Sequence, residues 1–338
     1  MKVLVVGPAA YFSTWDVYEG HLAGFRANGC EVFAFDYGKW LRAFGEFSNW
    51  MKRHRKTDVS EKIYVMGSES IYVAARVHEV DLVWMVAPMH VHPAILGLML
   101  RDGIKTAGYM TECPYEDDQW TNRAPLFTYC FLNDKNSVER FRLANPRSFY
   151  MGHAFDPNRH CPQACEADMD VAFVGTGFPA RRRFFEAVDW EGVDLRLYGY
   201  WAKTPKGSSL WSYLTPCILS NEETVDIYRR SRIGLQLHRK DKWYGHKGTC
   251  EESAHSLGPR SYELAASGVF QVSDERPELH EVFDGSVPTF STPAELERLV
   301  RQYLADPGAR RELAERQRQA VQPYTFENRI KQALELIA

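Results

Sequence analysis

The chain opens on a short apolar run, KVLVV at residues 2–6, which Gly7 and Pro8 end. A mixed segment from Trp15 to Ala27 follows, then a second run, EVFAFD, at 31–36. Continuous apolar runs of this length, bounded by turn residues and separated by longer segments, predict buried parallel strands covered by helices on both faces. The alternation continues with a helix near 67–78, the strand DLVWMVAP at 81–88 and a helix near 93–102. Strands KTAGYM at 105–110 and LFTYCFL at 126–132 come next, then a helix near 134–143. The segment 37–60, which contains WLRAFGEFSNWMKRHRK, reads as an inserted helical excursion with a basic end.

From Pro157 to Asp168 the text becomes polar and broken, PNRHCPQACEAD, and proline and charge dilute any apolar period. A linker is placed there. Immediately afterwards MDVAFVGTG, ARRRFFEAV and VDLRLYGY restart the strand, glycine turn, helix, strand order. A helix near 222–230, a strand RIGLQL at 232–237, the helix-to-strand stretch GPRSYELAASGVFQV from Gly258 and a short strand PTF at 288–290 continue it. Helices are expected at 293–304, 308–320 and 325–337, the last with an apolar stripe of Phe326, Ile330, Ala333, Leu334 and Ile337 that needs a surface to cover. The predicted class is α/β, with two Rossmann-like domains over 1–160 and 161–322 and a terminal helix at 323–338. The carboxyl ends of two such sheets can face each other across a cleft, where ligands bind in open α/β folds.

A length of 338 residues suits two domains, and 45% hydrophobic with 25% charged residues is the composition of a soluble globular protein. With 41 basic and 44 acidic side chains the net charge is −3, so no global field draws the chain to nucleic acid. Its seven scattered cysteines argue for reduced thiols in a cytoplasmic compartment, and no second close pair joins Cys161 and Cys165 to complete a zinc site. The first apolar run is too short for a signal core, and no window reaches the ~20 apolar residues of a membrane span.

Several residues carry candidate chemistry. Gly7 and Gly175 stand where backbone turns after a strand and approaches a ligand closely, although plain turn geometry explains them equally well. The segment GTGFPA lacks the third glycine of a dinucleotide fingerprint, which disfavours a nicotinamide enzyme. Arg181, Arg182 and Arg183 start the following helix, where cations oppose the dipole and want either an exposed face or an anion. In YGYW, Tyr198 and Trp201 would wall a base pocket or merely pack. Lys247, in the loop HRKDKWYGHKG, is a candidate phosphate contact.

Arg260 and Glu263 lie three apart on one helical face. A carboxylate there accepts both vicinal hydroxyls of a ribose, and an adjacent arginine holds it or reaches a phosphate; the alternative is a local ion pair. In the first half, His90 closes a strand with His92 but no third metal ligand. GYMTECPYEDD brings Glu112, Glu116, Asp117 and Asp118 to a rim, as an acceptor site or the source of a general base. His153 and Asp156 stand just before the linker.

In order and spacing, DMDVAFVGTGFPARRRFFEAV, VDLRLYGYW and GPRSYELAASGVFQVSDERPELHEVFDG resemble glycosyltransferases of the GT-B fold. Within these, the chain is most similar to the spore-maturation CgeB-like proteins and their group 1 glycosyltransferase domain. GYMTECPYEDD and MGHAFDPNRHCP in the first half agree with that resemblance.

The resemblance implies a nucleotide-sugar donor, UDP-sugar or another nucleoside diphosphate sugar, held mainly by the second domain. It implies an unidentified hydroxyl acceptor on the first domain, no tightly bound cofactor or metal, and a final helix that crosses back to the first domain. Glu263 would bind the ribose, Arg260 and Lys247 would be cationic contacts, and Gly175 would permit close approach. Arg181 and Tyr198 complete the expected donor set, with Gly7, Asp117 and His153 on the acceptor side. Glu112 or His90 would take the acceptor proton, unless the leaving phosphate does so, as retaining members use. Related enzymes often carry a second glutamate seven residues before the first, where this chain has Ser256.

Three rival classes stand beside this reading. A dehydrogenase or epimerase lacks its glycine fingerprint, and a non-catalytic two-lobed binding protein would normally carry an export signal. A glycosyltransferase of modified bases in phage DNA draws its sequence support from the basic run Lys52, Arg53, His54, Arg55, Lys56.

Overall fold

The computed structural model describes residues 1–9, 14–217, 219–241 and 254–337. The chain divides into two units, one of Met1–Gly152 with Phe326–Ala338, the other of His153–Thr325.

The first unit runs β1 (Lys2–Val6), α1 (Thr14–Ala27), β2 (Glu31–Phe35), α2 (Tyr37–Arg55), α3 (Ser60–Val77), β3 (Leu82–Val86) and α4 (Pro93–Arg101). It continues with β4 (Thr106–Met110), a single turn α5 (Asp117–Trp120), β5 (Tyr129–Leu132), α6 (Val138–Ala144) and β6 (Ser148–Tyr150). All described pairings are parallel, in the order β2-β1-β3-β4-β5-β6. Every residue of β3, β4 and β5 is buried, as strands covered on both faces must be.

The second unit contains β7 (Met169–Val174), α7 (Pro179–Glu186), β8 (Leu195–Gly199), β9 (Leu214–Pro216), α8 (Asn221–Arg229) and β10 (Ser231–Gln236). Then come α9 (Pro259–Ala266), β11 (Gln271–Asp274), α10 (Pro277–Phe283), β12 (Thr289–Phe290), α11 (Pro293–Ala305) and α12 (Pro307–Val321). Its sheet is also parallel, in the order β12-β11-β10-β7-β8-β9. That is the doubly wound arrangement, with its topological switch between β7 and β10.

The α/β class of two Rossmann-like lobes, expected from the hydrophobic pattern, is the one observed. The differences are local. β6 and β9 are three residues each and carry no readable period. α3 starts at Ser60 rather than near Gly67, because Gly67 does not break it: a Cβ there would stand 2.8 Å from the Tyr37 ring, so the glycine lets α2 and α3 close together. β11 begins at Gln271, since Gly268 turns at φ +75° and Val269 and Phe270 lie between that turn and the strand. Among the described residues no helix is long and apolar enough to cross a membrane.

The last helix, α13 (Phe326–Ile337), covers α1 within the first unit. Its apolar stripe meets two glycines: a Cβ on Gly20 would lie 2.1 Å from the Phe326 ring, and one on Gly24 would lie 2.8 Å from Ile330 Cγ1 and from the Phe326 carbonyl oxygen. Each glycine costs about 1 kcal/mol of helix propensity, offset here by the backbone approach it permits. Asn28 fastens the end of the pair, donating to the Gly24 and Glu327 carbonyls at 2.9 and 3.0 Å.

Gly20→Val should therefore destabilise the protein by about 1–3 kcal/mol, read as a lower urea midpoint. Gly45→Ala, in α2 where a Cβ meets nothing within 4 Å, should shift it the other way by up to about 1 kcal/mol.

Candidate functional site

At the switch point of the second unit, β7 ends and the chain turns through Gly175–Gly177. The Gly175 N–H donates to the Tyr198 carbonyl at 3.0 Å, and the Gly177 N–H to the Tyr200 carbonyl at 2.9 Å. Gly199 sits at φ +102°, where a Cβ would come within 2.5 Å of the Gly175 oxygen, so the ends of β7 and β8 meet only because glycine occupies both positions. A Cβ on Gly175 would lie 2.6 Å from Arg260 Nη2. The turn and the arginine touch.

Arg260 and Glu263 stand on α9, whose first residue, Pro259, presets the helix. The Arg260 guanidinium lies over the Phe173 ring at 4.4 Å and donates through Nη1 to Gln236 Oε1, at the end of β10. Among the described residues its buried Nε has no acceptor. Glu263, half-buried, accepts from the Tyr228 hydroxyl at 3.3 Å. Burial pushes the Glu263 carboxyl above the usual carboxylate range, against the pull of Arg260, the Tyr228 hydrogen bond and Arg159. Burial likewise raises Tyr228, followed by the Glu263 charge. A carboxyl with one committed partner and a cation stacked on an aromatic face together offer a hydroxyl acceptor beside an anion contact.

The other expected residues fall in different surroundings. Arg181 is buried, not on an exposed face. Its Nε donates to the Leu237 carbonyl at 3.0 Å and its Nη1 to the Thr176 carbonyl at 3.1 Å, which ties the β7 turn to the end of β10. Arg182 donates to the Gly177 carbonyl at 2.6 Å, and Arg183 is exposed. The start of α7 is already capped, because the Ala180 N–H donates to Asp241 Oδ2 at 3.1 Å.

Tyr198 requires a correction. Its ring lies in the core with Met169, Ala172 and Ile227, because alternation along β8 turns it into the layer between sheet and helix. Trp201, with Tyr200, Trp211, Leu214 and Cys217, lines a cavity of about 250 Å³ beyond the ends of β8 and β9. Lys247 lies outside the described residues.

In the first unit, Gly7 follows β1 and its N–H donates to the Phe35 carbonyl at 2.9 Å, with the Tyr18 ring 3.3 Å from where a Cβ would be. His90 and Glu112 follow β3 and β4, neighbouring strands. The His90 loop is held by Tyr37, whose hydroxyl donates to the His90 carbonyl at 2.7 Å, and by Arg123, which donates to the Met89 carbonyl at 3.0 Å. The His90 ring stacks on Tyr64 at 5.5 Å; desolvation, then the Arg123 charge, lowers its pKa. Glu112 is half-buried.

The acidic rim also needs correcting. Asp117 is 2% exposed and Glu116 is buried too, because the turn of α5 tucks them under the surface. Asp117 lies against the Cys113 thiol, whose pKa is raised by burial and then by that carboxylate. Asp118 is exposed and pairs with Arg140 at 2.5 Å. His153 is buried in the second unit.

Tyr228, Gln236 and His160 were not singled out by sequence. A glutamine within the apolar run RIGLQL is the one readable signal among them. His160 is buried, and its Nδ1 accepts from the Asp156 N–H at 3.3 Å.

A family profile described as "Glycosyl transferase-like" matches residues 181–335. No curated protein matches the chain in sequence. Among solved structures, the chain is similar to an alpha-glucosyltransferase in complex with UDP and a 13-mer DNA, at TM-score 0.67 and 13% identity, covering 100% of this chain and 99% of that one. It is similar to sucrose-phosphate synthase from Thermosynechococcus elongatus, at TM-score 0.63 and 11% identity over 100% and 98% of the two chains. For HepE of Anabaena in complex with UDP the values are 0.62 and 10%, over 99% of each chain. These likenesses establish the fold as GT-B.

Burial, then the Arg159 charge, depresses the His160 pKa from 6.5 to about 3. Below about pH 6.5 the unfolded chain thus binds a proton that the folded one refuses, and stability falls as pH drops towards 3, by up to about 1.4 kcal/mol per pH unit. His160→Asn should flatten that slope in urea titrations at successive pH values.

Proposed function

We propose that the chain is a glycosyltransferase that takes a sugar from a nucleoside diphosphate sugar and places it on an acceptor hydroxyl. The observation that carries this reading is the Arg260–Glu263 set beneath the Gly175 turn, at the switch point of a doubly wound sheet, where such folds bind their ligands. The profile match over residues 181–335 and the GT-B fold support it. The finer kinship with CgeB-like proteins rests on the order of the sequence motifs.

In this reading Glu263 accepts the ribose hydroxyls, and Arg260, with Lys247, meets the negative charge that gathers on the leaving diphosphate. Gly175 serves by making room for the Arg260 guanidinium rather than by touching the donor. Arg181 serves by bracing the turn rather than by touching the donor. The acceptor belongs to the first unit, with Gly7 at its edge. Its proton goes to Glu112 or to His90, whose lowered pKa leaves the ring neutral and able to accept, or to the departing phosphate. Because cationic side chains take the diphosphate charge, transfer is proposed to be metal-independent and, by resemblance, retaining.

A second reading, in which the acceptor hydroxyl belongs to a modified base in DNA, has its own support. The likeness to a DNA-bound alpha-glucosyltransferase is one part, and the exposed cations Arg53, Arg55 and Lys56 at the end of α2 are the other. Lys52 is committed to Asp58 at 3.0 Å.

Glu263→Gln should weaken nucleoside diphosphate binding by about tenfold or more at unchanged melting temperature, since a hydrogen bond to a charged group contributes ~1.5–3 kcal/mol. Calorimetry against UDP, GDP and ADP checks it; no binding by the wild type overturns the donor site. Activity that survives a chelator upholds metal independence, and loss restored by manganese refutes it. For the DNA reading, duplex binding should fall steeply with salt, and Arg53→Glu with Arg55→Glu should reduce that dependence.

A further inference from the structure

Behind Arg260 a line of buried polar side chains follows the carboxyl ends of β10 and β11. Asp274 closes β11, and its Oδ1 accepts from the His238 backbone N–H at 2.8 Å and lies 2.6 Å from His238 Nδ1. The other ring nitrogen of His238, Nε2, is 3.3 Å from Gln236 Nε2. Gln236 Oε1 then accepts from Arg260 Nη1. Asp274, His238 and Gln236 are 5%, 6% and 2% exposed, so none of them trades these partners for water without cost.

We infer that Asp274, His238 and Gln236 form a directional hydrogen-bond chain that fixes where the Arg260 guanidinium sits, and so are positioning residues for the diphosphate end of the donor. The inference rests on the glycosyltransferase reading for what Arg260 meets, but the direction of the chain follows from the protein alone.

A carboxylate only accepts, so Asp274 holds the proton of His238 on Nδ1 and leaves Nε2 a bare acceptor. A bare Nε2 takes the amide NH2 of Gln236. The amide carbonyl must then point the other way, towards the cation. With a proton on Nε2, two donors would face each other, and a flipped amide would present its NH2 to Arg260. Gly258 keeps the space narrow, since a Cβ there would come within 3.2 Å of Gln236 Nε2.

The groups facing His238 set its charge. Burial acts first and lowers the His238 pKa, Asp274 opposes it, and Arg276 and Arg181 assist it. Arg276 is itself held by the Ala254 and Arg239 carbonyls at 2.7 and 3.2 Å. For Asp274 burial pushes up, yet His238 and Arg276 bring it below the usual carboxylate range. A neutral imidazole against an ionised carboxylate is the state the chain requires.

Two near-isosteric variants test this. Asp274→Asn can donate to Nδ1 and so frees the other tautomer. It should weaken binding of whichever of UDP, GDP and ADP the wild type prefers by about tenfold, or ~1.4 kcal/mol, with the protein still folded. Gln236→Glu should accept from Arg260 and from a protonated Nε2 together, reversing the pH response. Wild-type affinity should drop only as pH is lowered below about 6.5, through the depressed His238 pKa, while that of Gln236→Glu should hold or rise. Nitrogen NMR of the free wild-type protein should show His238 protonated at Nδ1 alone near neutral pH.

Wild-type affinity and pH response in both variants would overturn the inference. So would an Nε2–H tautomer or an imidazolium in the free protein, whether or not any nucleotide binds. Absence of all diphosphate binding by the wild type, with the Nδ1–H tautomer present, would defeat the donor reading and leave the directional chain standing.

Discussion

The sheet ends of the second unit are organised around the half-buried Arg260 cation. The Arg260 guanidinium rests on the Phe173 ring, is gripped by Gln236 and occupies the space that a side chain at Gly175 would need. A guanidinium cannot shed its charge at any ordinary pH, so everything packed around it has to tolerate or answer that charge. An aromatic face, an amide oxygen, a tyrosine hydroxyl and the Glu263 carboxyl do so. Their positions come from β7, β10, α8 and α9, the elements that meet at the switch of the doubly wound sheet. Moving any of them moves the cation.

The same constraint explains the glycines of this region. Gly175 yields to Arg260, Gly199 to the Gly175 carbonyl and Gly177 to the Trp201 ring. Each lets a backbone segment stand where a side chain would otherwise be, and together they bring the ends of β7 and β8 close enough to share hydrogen bonds. In the first unit Gly20 and Gly24 play the corresponding part for α13 on α1. Close approach, rather than flexibility, is the common purpose.

Burial also sorts the ionisable groups. Glu263 is raised because desolvation outweighs its cation, whereas Asp274 is lowered because His238 and Arg276 outweigh desolvation. Two acids within one layer of side chains thus differ in protonation tendency. The reason lies in the number and geometry of their partners, which only the folded chain assembles.

Sequence alone is enough for the α/β class, the repeated strand-and-helix order and the placing of Arg260 and Glu263 on one helix. Apolar period and glycine punctuation are local properties, and Arg260 and Glu263 lie within one helical turn, so the local rule places them together. It did not determine which side of β8 Tyr198 faces, that Arg181 is spent on carbonyls, or that Asp117 and Glu116 turn inward beside Cys113. Nor did it reveal that Asp274, 14 positions after Arg260 in the numbering, reaches it through His238 and Gln236. Those outcomes depend on strands that are neighbours in the sheet but distant along the chain. Parallel pairing across crossovers is a tertiary decision, and no local pattern of residues encodes which side chains it will bring into contact.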